Sequence, residues 1–125
     1  MNSFKNFVCL YESKDTISNF INFCNDSLSI KQPCRVEFVD EPDEQMTTGC
    51  FNPMNRDIKV VSGKRALVDV LRSIAHELVH AKQHEDGRLE PDSGDDGSPI
   101  ENEANSLAGV IMRRFQRDNR DIYKL

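Results

Sequence analysis

The residues best suited to chemistry in this chain lie in one short segment, H-E-L-V-H at positions 76–80. Histidines four residues apart project from one face of a helix, one turn apart, so both imidazoles can reach a single metal ion. A glutamate directly after the first histidine can accept a proton from a water molecule beside that ion. The pattern predicts that His76 and His80 bind Zn²⁺ and that Glu77 is the catalytic base.

The sequence around this segment has the periodicity of a buried helix. Ser62 is the predicted N-cap and Gly87 the predicted stop. Histidines and a glutamate on the buried side of a helix need partners that offset their desolvation, and a metal ion supplies them. The apolar residues at i, i+3 and i+4 spacing are Ala66, Leu67, Val70, Leu71, Ile74, Ala75 and Leu78.

A second helix is predicted over residues 99–117, with Ser98 as its cap and Pro99 at its first position. Its apolar face is formed by Ala104, Leu107, Ala108, Ile111 and Phe115. The two alanines permit close packing against the helix that carries the histidines. This packing would bring an acidic residue of the second helix to the metal.

A catalytic zinc ion needs a third protein ligand and keeps its fourth position for water. Glu101 is the predicted ligand because it flanks the alanine face, and Glu103 is the alternative. Asn105, one turn after Glu101, is expected to orient a liganding histidine. His84 continues the row of histidines but lies about 6 Å further along the helix axis, so it is expected at the surface or beside a ligand.

Segments 15–25, 34–40, 46–51 and 56–61 complete the predicted fold. The first has the periodicity of an amphipathic helix. The others have the features of strands, since they alternate apolar and polar residues or are flanked by turn residues. The expected fold class is therefore α+β, with a single domain over residues 1–125. It comprises an N-terminal helix, a sheet of about three strands, the H-E-x-x-H helix and a C-terminal helix with the third ligand.

The H-E-L-V-H segment followed by E-N-E-A-N-S-L-A at 101–108 resembles the gluzincin metallopeptidases. The ImmA/IrrE-type and CAAX-prenyl endopeptidases are closest, since their third ligand opens an E-x-x-A-[DN] segment. The resemblance implies a minimal zincin-like fold in which Glu101 is that ligand and an extended peptide pairs with the edge of a hairpin. Thermolysin-like members have Asp where Asn105 stands, and a Leu-Met-Pro turn common in the ImmA/IrrE type is missing after residue 110.

Composition and charge favour a soluble, monomeric, cytoplasmic protein. The net charge is −5 without a dense basic stripe, which argues against nucleic acid as a partner. The sequence has no apolar run that could span a membrane and no signal-peptide pattern. Its four cysteines lie far apart, as expected of free thiols in a reducing compartment, with a structural zinc site as the less favoured alternative.

Residues 85–98 are predicted to form an acidic loop. A calcium-binding loop starting at Asp92 and ending at Glu103 is the alternative, although Gly94 offers no ligand at its third position.

The predicted function is zinc-dependent hydrolysis of peptide bonds, with a peptide or protein as substrate. A second stabiliser of the oxyanion is expected from Tyr11, Tyr123, Arg88 or His84. The alternative function is a metal-binding interaction module that keeps the fold and lacks hydrolysis.

Overall fold

The computed structural model describes residues 10–44, 46–89 and 98–119. Within these residues the chain forms a small α+β domain, which confirms the predicted fold class. The prediction of one domain over residues 1–125 stays a prediction, since both termini lie outside the described part. The elements in chain order are α1 (Leu10–Leu28), β1 (Val36–Val39), β2 (Gly49–Phe51), β3 (Ile58–Val61), α2 (Leu67–Glu85) and α3 (Pro99–Asp118).

The three strands form one mixed sheet in the order β1-β3-β2. β1 runs parallel to β3, whereas β2 and β3 are antiparallel and form a hairpin in which β2 is the first strand. Each strand is shorter than predicted, because the flanking residues at 34–35, 46–48 and 56–57 do not extend the regular ladders. The order leaves β2 as an edge strand whose outer side pairs with no other described strand.

The core lies between the sheet and the helices, with α2 at its centre. Ile58 and Val60 of the middle strand are fully buried, as are Leu71, Ile74 and Leu78 of α2. On the other side of α2, the rings of Phe20 in α1 and Phe115 in α3 meet edge to face at 4.9 Å between centroids. One hydrophobic cluster thereby joins α1, β3, α2 and α3.

Helix α1 is longer than predicted at both ends. It already begins at Leu10, so Asp15 and Thr16 lie inside the helix and not at its start. The helix ends where Ser29 adopts a left-handed conformation, with φ at 54°, and the Ile30 N–H bonds back to the Asn25 carbonyl. This end is difficult to predict from sequence, since glycine rather than serine is usual there.

Helix α2 starts later than predicted. Ser62 is not its N-cap: the Ser62 N–H and hydroxyl both donate to the Val39 carbonyl, and the cap position is Ala66. The predicted stop at Gly87 is confirmed, since that glycine follows the C-cap with φ at 72°. Ser98 caps α3 as predicted by accepting from the Glu101 N–H at 3.2 Å.

No helix in the part of the chain that the structure describes has the length and hydropathy needed to cross a bilayer.

Candidate metal centre

The candidate metal centre lies where α2 faces the first turn of α3. His76 and His80 stand one turn apart on α2, and Glu101 on α3 reaches across to both. The Glu101 Oε1 atom is 2.7 Å from His76 Nε2, and Oε2 is 3.1 Å from His80 Nε2. The two Nε2 atoms lie 3.2 Å apart. The structure therefore brings together the three residues that the sequence analysis selected as ligands.

The donor set fits a zinc ion. The ligand atoms of His76, His80 and Glu101 all lie within 4.8 Å of one another. Tetrahedral zinc with bonds of about 2.0–2.1 Å separates its ligand atoms by about 3.3–3.4 Å. The 3.2 Å between the two Nε2 atoms is close to this value, whereas the 2.7 Å between Glu101 Oε1 and His76 Nε2 is shorter. Two imidazoles and one carboxylate are also a usual ligand set for catalytic zinc. Among the described residues no other group of three or more potential ligands converges in this way.

Glu77 lies outside this group, on the side of α2 that faces strand β2. Its side chain is buried, with only 6% of the residue exposed. Gly49 of β2 lies against it, because a Cβ at that position would be 3.4 Å from Glu77 Cγ. A side chain at position 49 would also meet the Lys59 carbonyl at 3.0 Å, so glycine permits this close approach.

The environment of Glu77 disfavours its negative charge. Burial, and then the nearby charge of Glu101, raise the pKa of Glu77 from its ordinary 4.5 to about 8. Since a general base works best when its pKa lies near the working pH, this carboxyl group is suited to proton transfer.

His76 is the more solvent-accessible of the two histidines. Burial and the neighbouring His80 lower the pKa of His76, while the charge and hydrogen bond of Glu101 oppose the shift. The Asn105 side chain also hydrogen-bonds with His76. Asn105 thus lies where the sequence analysis expected it, one turn beyond Glu101 and beside a candidate ligand.

Glu103, the alternative third ligand, points elsewhere. Its carboxylate accepts hydrogen bonds from Gln83 at 3.0 Å and from both terminal nitrogens of Arg88 at 2.8 and 3.0 Å. These contacts hold the pKa of Glu103 below its usual range. The structure therefore places Glu101, and not Glu103, at the histidines.

The described candidates for oxyanion stabilisation have other partners. Arg88 is paired with Glu103, and His84 Nδ1 lies 3.4 Å from a terminal nitrogen of Arg56, beside the Phe51 ring. The Tyr11 side chain and Tyr123 lie outside the described residues. His84 is not in the metal-binding group, as the sequence analysis expected.

The two alternative metal sites receive no support from the described residues. Cys24, Cys34 and Cys50 are free thiols and belong to no cluster of potential ligands. Positions 92–97 of the proposed calcium loop lie outside the described residues, as does Cys9.

One residue of the site was missed by the sequence analysis. Gln83, only 1% exposed, presents its Oε1 at 2.7 Å from His80 Nδ1. A usable signal was present, because Gln83 follows His76 and His80 at i+7 and i+3 and so continues their row on the helix. A polar residue in that row is positioned to contact the second imidazole.

Comparisons of the chain with protein-family models, with curated proteins and with solved structures gave no match. The resemblance to the gluzincin metallopeptidases therefore stays a prediction.

Proposed function

We propose that this protein is a zinc-dependent metallopeptidase. The observation that carries the proposal is the convergence of His76, His80 and Glu101 on one point, with a second buried glutamate, Glu77, beside them. Three protein ligands are typical of catalytic zinc, whereas structural zinc sites generally use four. The separate position of Glu77 supports a role in proton transfer.

His76, His80 and Glu101 would hold the metal. When bound, zinc lowers the pKa of water toward neutrality and polarises the carbonyl group of a peptide. Glu77 would accept the proton of the attacking water molecule and transfer it to the leaving amine. A pKa of about 8 keeps the carboxylic acid in excess at neutral pH in the metal-free site, and the positive charge of a bound metal ion would favour the carboxylate that the first transfer needs.

We propose that the substrate binds as an extended strand along β2. This strand lies at an edge of the sheet, and no described strand pairs with its outer side. Gly49 brings its backbone close to Glu77, so a peptide pairing with β2 would pass near the catalytic base. Backbone hydrogen bonds would then hold peptides of varied sequence.

A cytoplasmic location and a monomeric state complete the proposal. The free thiols of Cys24, Cys34 and Cys50 support a reducing compartment. The net charge of −5 supports a peptide rather than nucleic acid as the partner.

Replacement of the base tests this function. Glu77→Gln removes a proton acceptor and no ligand, so we expect full zinc occupancy, unchanged folding and a loss of peptide hydrolysis of at least about 100-fold. Glu101→Gln should instead lose both zinc and activity. Glu37→Gln, at an exposed position of β1, is the matched control and should retain both. Zinc content is measured by elemental analysis and hydrolysis with a peptide library analysed by mass spectrometry.

The same experiment separates the enzyme from the interaction module. If wild-type protein loaded with zinc cleaves no peptide in the library and behaves as Glu77→Gln does, the metallopeptidase proposal fails. Zinc binding that still depends on Glu101 would then support the non-hydrolytic module.

A further inference from the structure

We propose that Gln83 is a positioning residue that fixes the tautomer of His80, so that the Nε2 atom of His80 presents a lone pair to the metal. Arg88 and Glu103 support this role by fixing the orientation of the Gln83 amide. The inference rests on the proposed metal site, but its principal test is made on metal-free protein.

The orientation of the Gln83 amide follows from its two partners on α3. The amide nitrogen lies 3.1 Å from the Ile100 carbonyl oxygen and 3.0 Å from Glu103 Oε1. Both partners are acceptors, so they require the NH₂ group and its two hydrogens. The amide oxygen must therefore be the atom that faces His80.

The orientation of the amide determines the position of the proton on His80. An amide oxygen can only accept, so the Nδ1 atom at 2.7 Å must donate its N–H. In a neutral imidazole the other nitrogen then carries a lone pair. That nitrogen, Nε2, is the atom 3.1 Å from the Glu101 carboxylate and 3.2 Å from His76 Nε2. A metal ion held between these atoms would accept this lone pair.

The reverse orientation of the amide is strongly disfavoured. Arg88 binds Glu103 through both terminal nitrogens and keeps this carboxylate in place. Rotating the Gln83 amide by 180° would place its oxygen against that carboxylate and against the Ile100 carbonyl. Since Gln83 is 1% exposed, water cannot readily replace the lost hydrogen bonds.

The test is the tautomer of His80, observed by ¹⁵N NMR of the imidazole nitrogens in metal-free protein above pH 8. We expect wild-type His80 to carry its single proton on Nδ1. In Gln83→Met, which has similar volume but no acceptor, we expect the proton to shift largely to Nε2. Ser73→Ala is the matched control, because it also removes a buried hydrogen bond from α2, the one that Arg65 donates, without contacting His80. Its His80 tautomer should remain that of the wild type.

Zinc affinity provides the second measurement, by competition with a chelator. We expect Gln83→Met to weaken zinc binding by about 10- to 100-fold, the usual effect of losing a group that orients a ligand. Ser73→Ala should change the affinity by less than about threefold.

Two results would overturn the inference. One is a proton on Nε2 of His80 in the wild type, which needs no variant and so remains decisive even if Gln83→Met does not fold. The other is a Gln83→Met variant with unchanged tautomer and zinc affinity. Neither depends on peptide hydrolysis, so an inactive protein would refute the proposed enzyme without refuting the role of Gln83.

Discussion

At the scale of single residues, the protonation of Glu77 depends on neighbours from several elements. The residue is buried on α2, Gly49 of β2 lies against its side chain, and the charge of Glu101 on α3 acts on it. Each of these surroundings disfavours the carboxylate form. A group in this state affects the stability of the metal-free protein, because protonation and folding are linked.

We predict that the stability of the metal-free protein falls between pH 6.5 and 8 because of Glu77. The pKa of Glu77 is about 8 in the native state and about 4.5 when unfolded, so the native state keeps a proton that the unfolded chain has released. The free energy of unfolding should therefore decrease by up to about 1.4 kcal/mol per pH unit. Below pH 6.5 the lowered pKa of His76 acts in the opposite direction, since there the unfolded chain binds the additional proton.

Denaturant unfolding at several pH values measures this slope. Glu77→Gln has no titrating group at this position and should lack most of the decrease. Equal slopes in the two proteins would show that Glu77 titrates normally in the native state.

The sequence predicted the candidate ligands better than the residues that orient those ligands. The spacing of His76 and His80 predicts a pair of metal ligands from local geometry alone, and the alanine face of α3 favours Glu101 over Glu103. The spacing of Gln83 from His80 can be read from the sequence, but the orientation of its amide depends on Ile100 and Glu103, which lie across the helix interface. Contacts of that kind are set by the packing of α2 on α3 and are not visible in either helix alone.

At the scale of secondary-structure elements, Arg56 connects three parts of the fold. The sequence analysis placed this residue in a strand, but it adopts φ of 63° in the turn between β2 and β3. From there its guanidinium donates to the Glu85 carboxylate at 2.9 Å and to the Gln32 carbonyl at 2.6 Å. Glu85 also accepts from the backbone N–H groups of Lys31 and Gln32. The turn, the end of α2 and the segment before β1 are thereby joined.

We predict that Arg56→Met destabilises the protein by about 3 kcal/mol, since it leaves a largely buried carboxylate without its cation. The Arg56 and Glu85 side chains are only 11% and 13% exposed. Arg72→Met is the matched control, because the pair of Arg72 and Asp69 is more than half exposed and should contribute less than about 1 kcal/mol. Urea unfolding of both variants gives the comparison. Similar losses in the two would mean that the Arg56 pair stabilises no more than a surface pair.

At the scale of the whole molecule, the order of the strands could not be read from the sequence. Strands β2 and β3 form a hairpin, which the turn residues between them indicate. In contrast, β1 pairs directly with β3 in parallel, although β2 lies between them in the sequence. This pairing depends on how α2 and the sheet pack together, since β3 supplies the buried Ile58 and Val60. It leaves β2, which lies against Glu77, at the edge of the sheet, where the proposed substrate strand would pair.

The position of the metal centre also has a consequence for the whole molecule. The proposed ligands lie on α2, at the centre of the core, and on α3, which follows the segment at 90–97 that lies outside the described residues. A metal ion would join these two helices, and this linkage exists only in the folded state. Metal binding should therefore contribute to the stability of the fold.

We predict that the protein binds one Zn²⁺ per chain and that its removal lowers the free energy of unfolding. At a free zinc concentration 1,000 times the dissociation constant, a single site adds about 4 kcal/mol. The double variant His76→Ala/His80→Ala should lose both the zinc and this stabilisation. His84→Ala is the matched control, since the third histidine lies outside the metal-binding group and its loss should leave one zinc bound. Elemental analysis and urea unfolding, each with and without a chelator, provide the measurements. Zinc retained at full occupancy by the double variant, or lost from His84→Ala, would require a different set of ligands.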